Sequence, residues 1–192
     1  GKGCENFVCI TVGTGIGSGL VINGKVVRGA SNAAGEIGHI KLQMTNGPIC
    51  GCGDTGCLEA FASGPSIVAM AQDYIKGGKS TKFREMAAAE GGEITPYMVA
   101  KAAEEGDPVA KRIFEIVGEY IGIGLTSVIN LLNPEKVIIG GGVAEAGELL
   151  LEPIRRTVKE RAMVVAGEAV EIVPAQLGNS AGVIGASMLI EG

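Results

Sequence analysis

The fold is decided between Lys136 and Val173, KVIIGGGVAEAGELLLEPIRRTVKERAMVVAGEAVEIV. Lys136 to Ile139 is a short run rich in branched apolar residues and reads as a buried strand. Gly140-Gly141-Gly142 ends it. Glu145 to Ala162 follows with helical spacing, and Val170 to Val173 returns to a strand pattern. Strand, glycine turn, helix and strand in succession predict an α/β fold.

The flanking sequence fits. Asp107-Pro108 opens a long helix to about Leu132, closed by Asn133-Pro134, and Thr95-Pro96 opens another to Glu105. Pro65 to Lys76 reads as a helix stopped by Gly77-Gly78. Ala181 to Ile190 reads as a final helix. Towards the start, Phe7 to Val12 is a buried strand. Leu20–Ile22, Asn23-Gly24 and Lys25–Val27 read as strand, turn and strand. Ile37 to Gln43 alternates like a further strand. Met44 to Cys57 has no regular period, and so long a loop needs a reason. Lys79 to Glu93 reads as a solvated helix and loop.

Composition sets the bounds. The chain has 192 residues and 19.5 kDa, a net charge of −5 and a pI near 5.0. Such acidity does not favour a nucleic-acid or anionic-membrane surface. Hydrophobic residues make up 46%, enough for a real core. Glycine is high, at 32 residues, without a collagen period. The glycines must serve turns, caps and close backbone approaches. No basic region followed by an apolar run marks a signal peptide. The uncharged stretches Asn6–Gly24 and Val173–Ile190 are too interrupted to span a bilayer. The expectation is a soluble, cytoplasmic protein. The start at Gly1, directly before a strand, suggests a fragment of a longer chain.

Five cysteines are an odd count, which argues against a disulfide framework. Cys50, Cys52 and Cys57 lie close to the single histidine, His39. Three thiolates and one imidazole make a tetrahedral zinc set of the closed, structural kind. Gly51, Gly53 and Gly56 supply the turns that aim the sulfurs inward. A metal also explains how so irregular a loop is ordered. Cys9 reads as a strand core residue and Cys4 as an exposed end.

Two glycine loops complete the pattern. Thr11-Val-Gly13-Thr14-Gly15-Ile16-Gly17-Ser18-Gly19 leaves the first strand with glycine at every second position. Such backbone suits phosphate oxygens, although a glycine-rich hairpin explains the same residues without a ligand. The spacing is not that of a dinucleotide fingerprint, and no helix follows. Gly78-Lys79-Ser80 mimics the end of a P-loop, but Asp73 stands where its first glycine belongs. Gly140 to Val143 follows a strand at the position where α/β sheets bind ligands. A plain strand–helix turn also uses glycine.

The order of three motifs is distinctive: the first glycine loop, then Glu36-Ile-Gly-His39, then Cys50-Gly-Cys-Gly-Asp-Thr-Gly-Cys57-Leu-Glu59. It resembles the ROK family of repressors, open reading frames and sugar kinases, and most of all its bacterial glucokinases. The resemblance implies an actin-like ATPase fold, ribonuclease H-like, of the hexokinase and Hsp70 type. It implies two domains closing over ATP and sugar, with residues 1–192 matching the larger C-terminal one and the smaller N-terminal one lying outside this chain. Gly13, Thr14, Gly15 and Gly17 would form a phosphate loop. Gly141, Gly142 and Val143 would lie beside the adenosine. His39, Cys50, Cys52 and Cys57 match the family's zinc ligands, and Glu36, His39 and Glu59 match residues that hold sugar hydroxyls. ATP with Mg²⁺ and a structural Zn²⁺ are the implied cofactors, and a homo-oligomer, a dimer, is the expected assembly.

The implied reaction, for the full-length parent, is phosphorylation of glucose to glucose 6-phosphate. The alternatives are a kinase for another hexose, such as N-acetylmannosamine or fructose, and the sugar-sensing domain of a repressor. Carboxylates accept strongly from sugar hydroxyls. Zinc on one nitrogen of His39 would leave the other for a hydroxyl. Glu59 stands two residues past a zinc ligand, so the metal would position it too. Phosphoryl transfer also needs a carboxylate to take the proton. The chain has three aspartates, Asp54, Asp73 and Asp107, and none reads as that base. The resemblance places it upstream.

Overall fold

β1 (Phe7–Val12) occupies the middle of a five-stranded sheet in the computed structural model, which describes residues 1–178. β2 (Ile16–Ile22) folds back antiparallel on it, and the short β3 (Lys25–Val26) follows through the Asn23-Gly24 turn. On the other side β4 (Lys136–Gly140) and β5 (Glu171–Pro174) run parallel to β1 and to each other. The order is β3-β2-β1-β4-β5. The helices are α1 (Leu58–Ala62), α2 (Gly64–Lys76), α3 (Lys82–Ala89), α4 (Pro96–Glu104), α5 (Pro108–Leu132), α6 (Glu148–Arg161) and α7 (Val164–Ala169). The α/β architecture expected from residues 136–173 is present.

Alternation decides which face of the sheet is covered. Val8, Ile10 and Val12 of β1 and Val137 and Ile139 of β4 are buried in one core with Ile121, Leu125 and Ile129 of α5 and Leu150 and Ile154 of α6. Cys9 falls out of phase and is only half-buried, a correction to its reading as a core residue. Cys4 is half-buried too.

The caps explain where the long helices begin. Asp107 accepts from the N–H groups of Val109 (2.8 Å) and Ala110 (2.9 Å), and its other oxygen takes Lys82 N at 2.7 Å. One buried carboxylate therefore starts α5 and ties down α3. Thr95 caps α4 by accepting from Met98 N. Asn133 ends α5 in the left-handed region at φ 46°. α5 is long and apolar enough to cross a membrane by length and composition alone, yet eleven of its residues are buried in this core. Gly118 and Gly122 let α6 come close: Pro153 and Thr157 sit where their side chains would be.

Several readings need correction. Ile37–Gln43 is not a strand: Ile37–His39 form a single 3-10 turn, and only Lys41 makes an isolated bridge, to Cys57. The predicted helix from Glu145 is two pieces, because Gly147 at φ 59° separates a 3-10 turn (Gly142–Ala146) from α6. Residues 79–93 hold α3, which is not fully solvated, since Phe83 and Ala87 are buried. α1 and α7 were not anticipated; both are short. The helix expected at Ala181–Ile190 lies outside the described residues.

Candidate functional site

The irregular segment after the first 3-10 turn folds as a knuckle. Cys50 N donates to Asp54 O and Gly53 N to Cys50 O, while Leu42 N and Leu58 N bond to Gly56 O and Ile40 O across it. These bonds converge four side chains from distant positions. The ligand atoms of His39, Cys50, Cys52 and Cys57 all lie within 4.8 Å of one another. For Zn–S near 2.3 Å and Zn–N near 2.0 Å, tetrahedral angles give about 3.8 Å between sulfurs and about 3.6 Å between sulfur and nitrogen. Cys52 Sγ lies 3.9 Å from Cys57 Sγ, and Cys50 Sγ lies 3.6 Å from His39 Nδ1. All five cysteines are free thiols. Burial pushes the Cys50 thiol up to about 12, whereas the Asp54 N–H pulls Cys52 down. The donor set and these separations fit a zinc ion, whose charge would hold the sulfurs as thiolates.

The 3-10 turn that replaces the expected strand matters here. On a strand, residues three apart point to opposite faces. In a 3-10 turn they eclipse. Glu36 precedes the turn and His39 ends it, and His39 N donates to Glu36 O. Their side chains accordingly meet, with Glu36 Oε2 3.8 Å from His39 Nε2. The two imidazole nitrogens are thus divided: Nδ1 faces the cysteines, and Nε2 faces Glu36.

Glu59 stands in the first turn of α1, directly after the knuckle. Its Oε2 accepts Ile16 N at 2.9 Å, and its Oε1 lies 3.5 Å from Cys50 Sγ. A side chain on Gly15 would run into that carboxylate. A side chain on Gly38 would likewise run into the Ile16 carbonyl. Ile16 therefore borders both halves of the expected sugar site: Glu59 accepts its N–H, and its C=O leaves no room for a side chain at Gly38 in the turn between Glu36 and His39.

The glycine run beside Ile16 is shorter than its sequence suggests. Gly17 is not in a loop; it pairs with Thr11 inside β2. The turn itself is Gly13-Thr14-Gly15, closed by Gly13 N donating to Gly15 O. Gly13 and Thr14 line a cavity of about 940 Å³, and so do Gly142 and Val143, but Gly15 and Gly17 do not. Gly141 underlies it with φ 91°, pressed against the Val12 backbone where any side chain would clash. The cavity lies between the two glycine turns and helices α2 and α4, and Val68, Tyr97 and Ala100 contribute to its wall. It has the size and the largely apolar character of a pocket for a nucleotide-sized ligand.

Sequence reasoning missed three kinds of residue. Ile16 acts through its backbone, which no side-chain pattern reveals. Tyr97 and Ala100 look like ordinary helix positions. Lys41, beside Cys57, carries no motif. The aspartates are accounted for: Asp54 pairs with Lys41, Asp73 with Lys76, and Asp107 is the buried cap.

These motifs and their geometry match a known group. The ROK family model matches residues 1–192. The chain belongs to the ROK family. Its fold is the actin-like fold of ROK sugar kinases. The chain is 38% identical over 191 residues to a glucokinase of Halalkalibacterium halodurans, covering 100% of this chain and 58% of that one. It is 33% identical to a xylose repressor of Caldicellulosiruptor bescii, covering 97% of this chain and 46% of that protein. Among solved structures, a ROK glucokinase from Streptomyces griseus in complex with glucose and AMPPNP superposes with a TM-score of 0.85. It is 37% identical, and the match covers 99% of this chain and 62% of that one. The chain thus spans a little over half the length of its ROK glucokinase relatives.

Proposed function

We propose that this chain is the larger, C-terminal domain of an ATP-dependent glucose kinase, converting glucose to glucose 6-phosphate in the cytoplasm. One observation carries the reading. Glu59 stands with one carboxylate oxygen on the N–H of Ile16, the residue directly after the Gly13–Gly15 turn, and the other against the cysteine knuckle. A sugar held by Glu36, His39 and Glu59 would lie next to the turn that faces the nucleotide-sized cavity.

Each group then has a task. Zinc on His39, Cys50, Cys52 and Cys57 supplies rigidity rather than chemistry, since four protein ligands leave no open position. Reduced cytoplasmic thiols suit such a knuckle. His39 Nε2, Glu36 and Glu59 bind the sugar hydroxyls and orient the one that reacts. Gly13 and Thr14 face the phosphates, Gly15 leaves room for Glu59, and Gly17 holds the strand that follows. Gly141, Gly142 and Val143 shape the adenosine end. Mg²⁺ would arrive with the ATP phosphates. The ROK resemblance implies that the proton acceptor belongs to the other domain; of the aspartates here, Asp54 pairs with Lys41, Asp73 pairs with Lys76 and Asp107 caps α5.

The test compares two proteins. The full-length parent should phosphorylate glucose from ATP. Residues 1–192 alone should bind zinc and show no turnover. A second reading, a sugar-responsive repressor, is favoured by the xylose-repressor similarity. It predicts sugar-dependent release of DNA by the parent and no phosphoryl transfer.

A further inference from the structure

Lys41 lies outside the roles described above, and its surroundings are specific. Its ammonium lies 2.5 Å from Asp54 Oδ2, 2.9 Å from Thr55 O and 3.2 Å from Cys57 Sγ. An ammonium has three N–H donors and no acceptor, so all three donors are spent on one segment of the knuckle. The backbone brings this about. Lys41 and Cys57 are partners in an isolated antiparallel bridge, which sets their side chains next to each other. Lys41 is also two residues past His39, so one short stretch supplies both a metal-ligand candidate and this contact.

We propose that Lys41 is a positioning residue for the metal knuckle, donating a charge-assisted N–H···S bond to the Cys57 thiolate. The inference rests on the zinc reading of His39, Cys50, Cys52 and Cys57. Three thiolates and a neutral imidazole around Zn²⁺ carry a net charge of about −1. A cation placed against one sulfur offsets that charge and holds the thiolate in its coordinated direction. It also draws density from the sulfur, which makes that sulfur a poorer nucleophile. Asp54 is half-exposed or more, on the outer side of Lys41, and keeps the ammonium from swinging into solvent. Cys57 is the ligand two residues before Glu59, so a firmly held Cys57 fixes the start of the helix that carries the sugar-site carboxylate.

The experiment uses the full-length protein, stripped of metal and reloaded with Zn²⁺ or Co²⁺. Zinc affinity is read by competition with a chromogenic chelator in wild type, K41M and K41R. K41M should bind zinc about 10- to 100-fold more weakly, and K41R, which retains a donor, should stay within a few-fold of wild type. In the cobalt-loaded protein, the sulfur-to-cobalt charge-transfer band should move to longer wavelength in K41M, because a sulfur without its hydrogen bond gives up an electron more easily. A lysine that served only as a surface clamp would leave that band where it is. Should K41M not fold, D54N unties the ammonium from outside and should shift affinity and band in the same direction. Wild-type affinity and an unmoved band in the variants would overturn the proposal while leaving the zinc reading intact. A wild-type protein that takes up no zinc would overturn both.

Discussion

Glu59 accepts the Ile16 N–H at 2.9 Å. This single bond ties a helix that begins at the cysteine knuckle to the backbone that leaves the glycine turn. It predicts that two substitutions at one position will separate two functions. Glu59→Gln retains an oxygen for Ile16 N but loses the charge that accepts a sugar hydroxyl. It should weaken glucose binding by roughly 1–3 kcal/mol, the usual cost of losing a charged hydrogen bond, and leave nucleotide binding nearly unchanged. Glu59→Ala should weaken both. Calorimetric titration of the full-length protein with each ligand measures this. Wild-type glucose affinity in the alanine variant would remove Glu59 from the site.

Gly38 makes a related prediction. A methyl group there would press on the Ile16 carbonyl, so Gly38→Ala must shift the turn that eclipses Glu36 over His39. Overpacking of this kind costs about 1–3 kcal/mol of stability. Thermal melting should show that loss, and glucose affinity should fall while nucleotide affinity holds.

The cavity can be tested on its own. Ala100 lies on its α4 wall, away from the knuckle. Ala100→Trp should fill part of the space and weaken binding of an ATP analogue at least tenfold, about 1.4 kcal/mol. Glucose binding should not change. Unaltered nucleotide affinity would place the nucleotide elsewhere.

A good part of this was legible in the residues. Asp107-Pro108, Thr95-Pro96 and Asn133 announced their helix ends because cap chemistry is local. The four-ligand cluster was legible because its residue types are rare in this chain and closely spaced. The turn at Ile37–His39 was misread because Ile40-Lys41-Leu42-Gln43 alternates like a strand and the pattern was carried back to Ile37. What overrides that pattern is a tertiary contact: Gly38 docks on Ile16, and the cysteines claim His39. Gly17 was placed in a loop because alternating glycines look open, yet pairing with Thr11 extends β2 through it. Sequence spacing shows neither a backbone partner 43 residues away, as for Glu59 and Ile16, nor the cavity wall built by α2 and α4.

Acid stability gives an independent check on the sheet. Glu135 Oε1 accepts from Asn6 N at 2.8 Å and Glu5 N at 3.0 Å, stapling the start of β1 to β4. These N–H groups hold its carboxyl below the ordinary glutamate value of 4.5, with the Asn6 contact the largest cause. A depressed folded-state value means stability that is fully present above about pH 4.5 and lost as the pH falls through the lower value. Glu135→Gln should therefore be less stable than wild type at pH 7, and the difference should shrink as the pH drops below 4.5. Chemical denaturation across pH 3–7 measures it, and a difference independent of pH would contradict the staple.

The central claim is that the sugar site and the nucleotide cleft serve one phosphoryl transfer in the parent protein. The most direct measurement incubates the full-length, zinc-loaded protein with Mg²⁺, glucose and ATP labelled at the γ-phosphate, and follows the label. Glucose 6-phosphate should carry it, and production should collapse in the Glu59→Ala variant. Glucose bound by the wild-type protein with no label transferred to it, or to any other hexose supplied, would contradict the account.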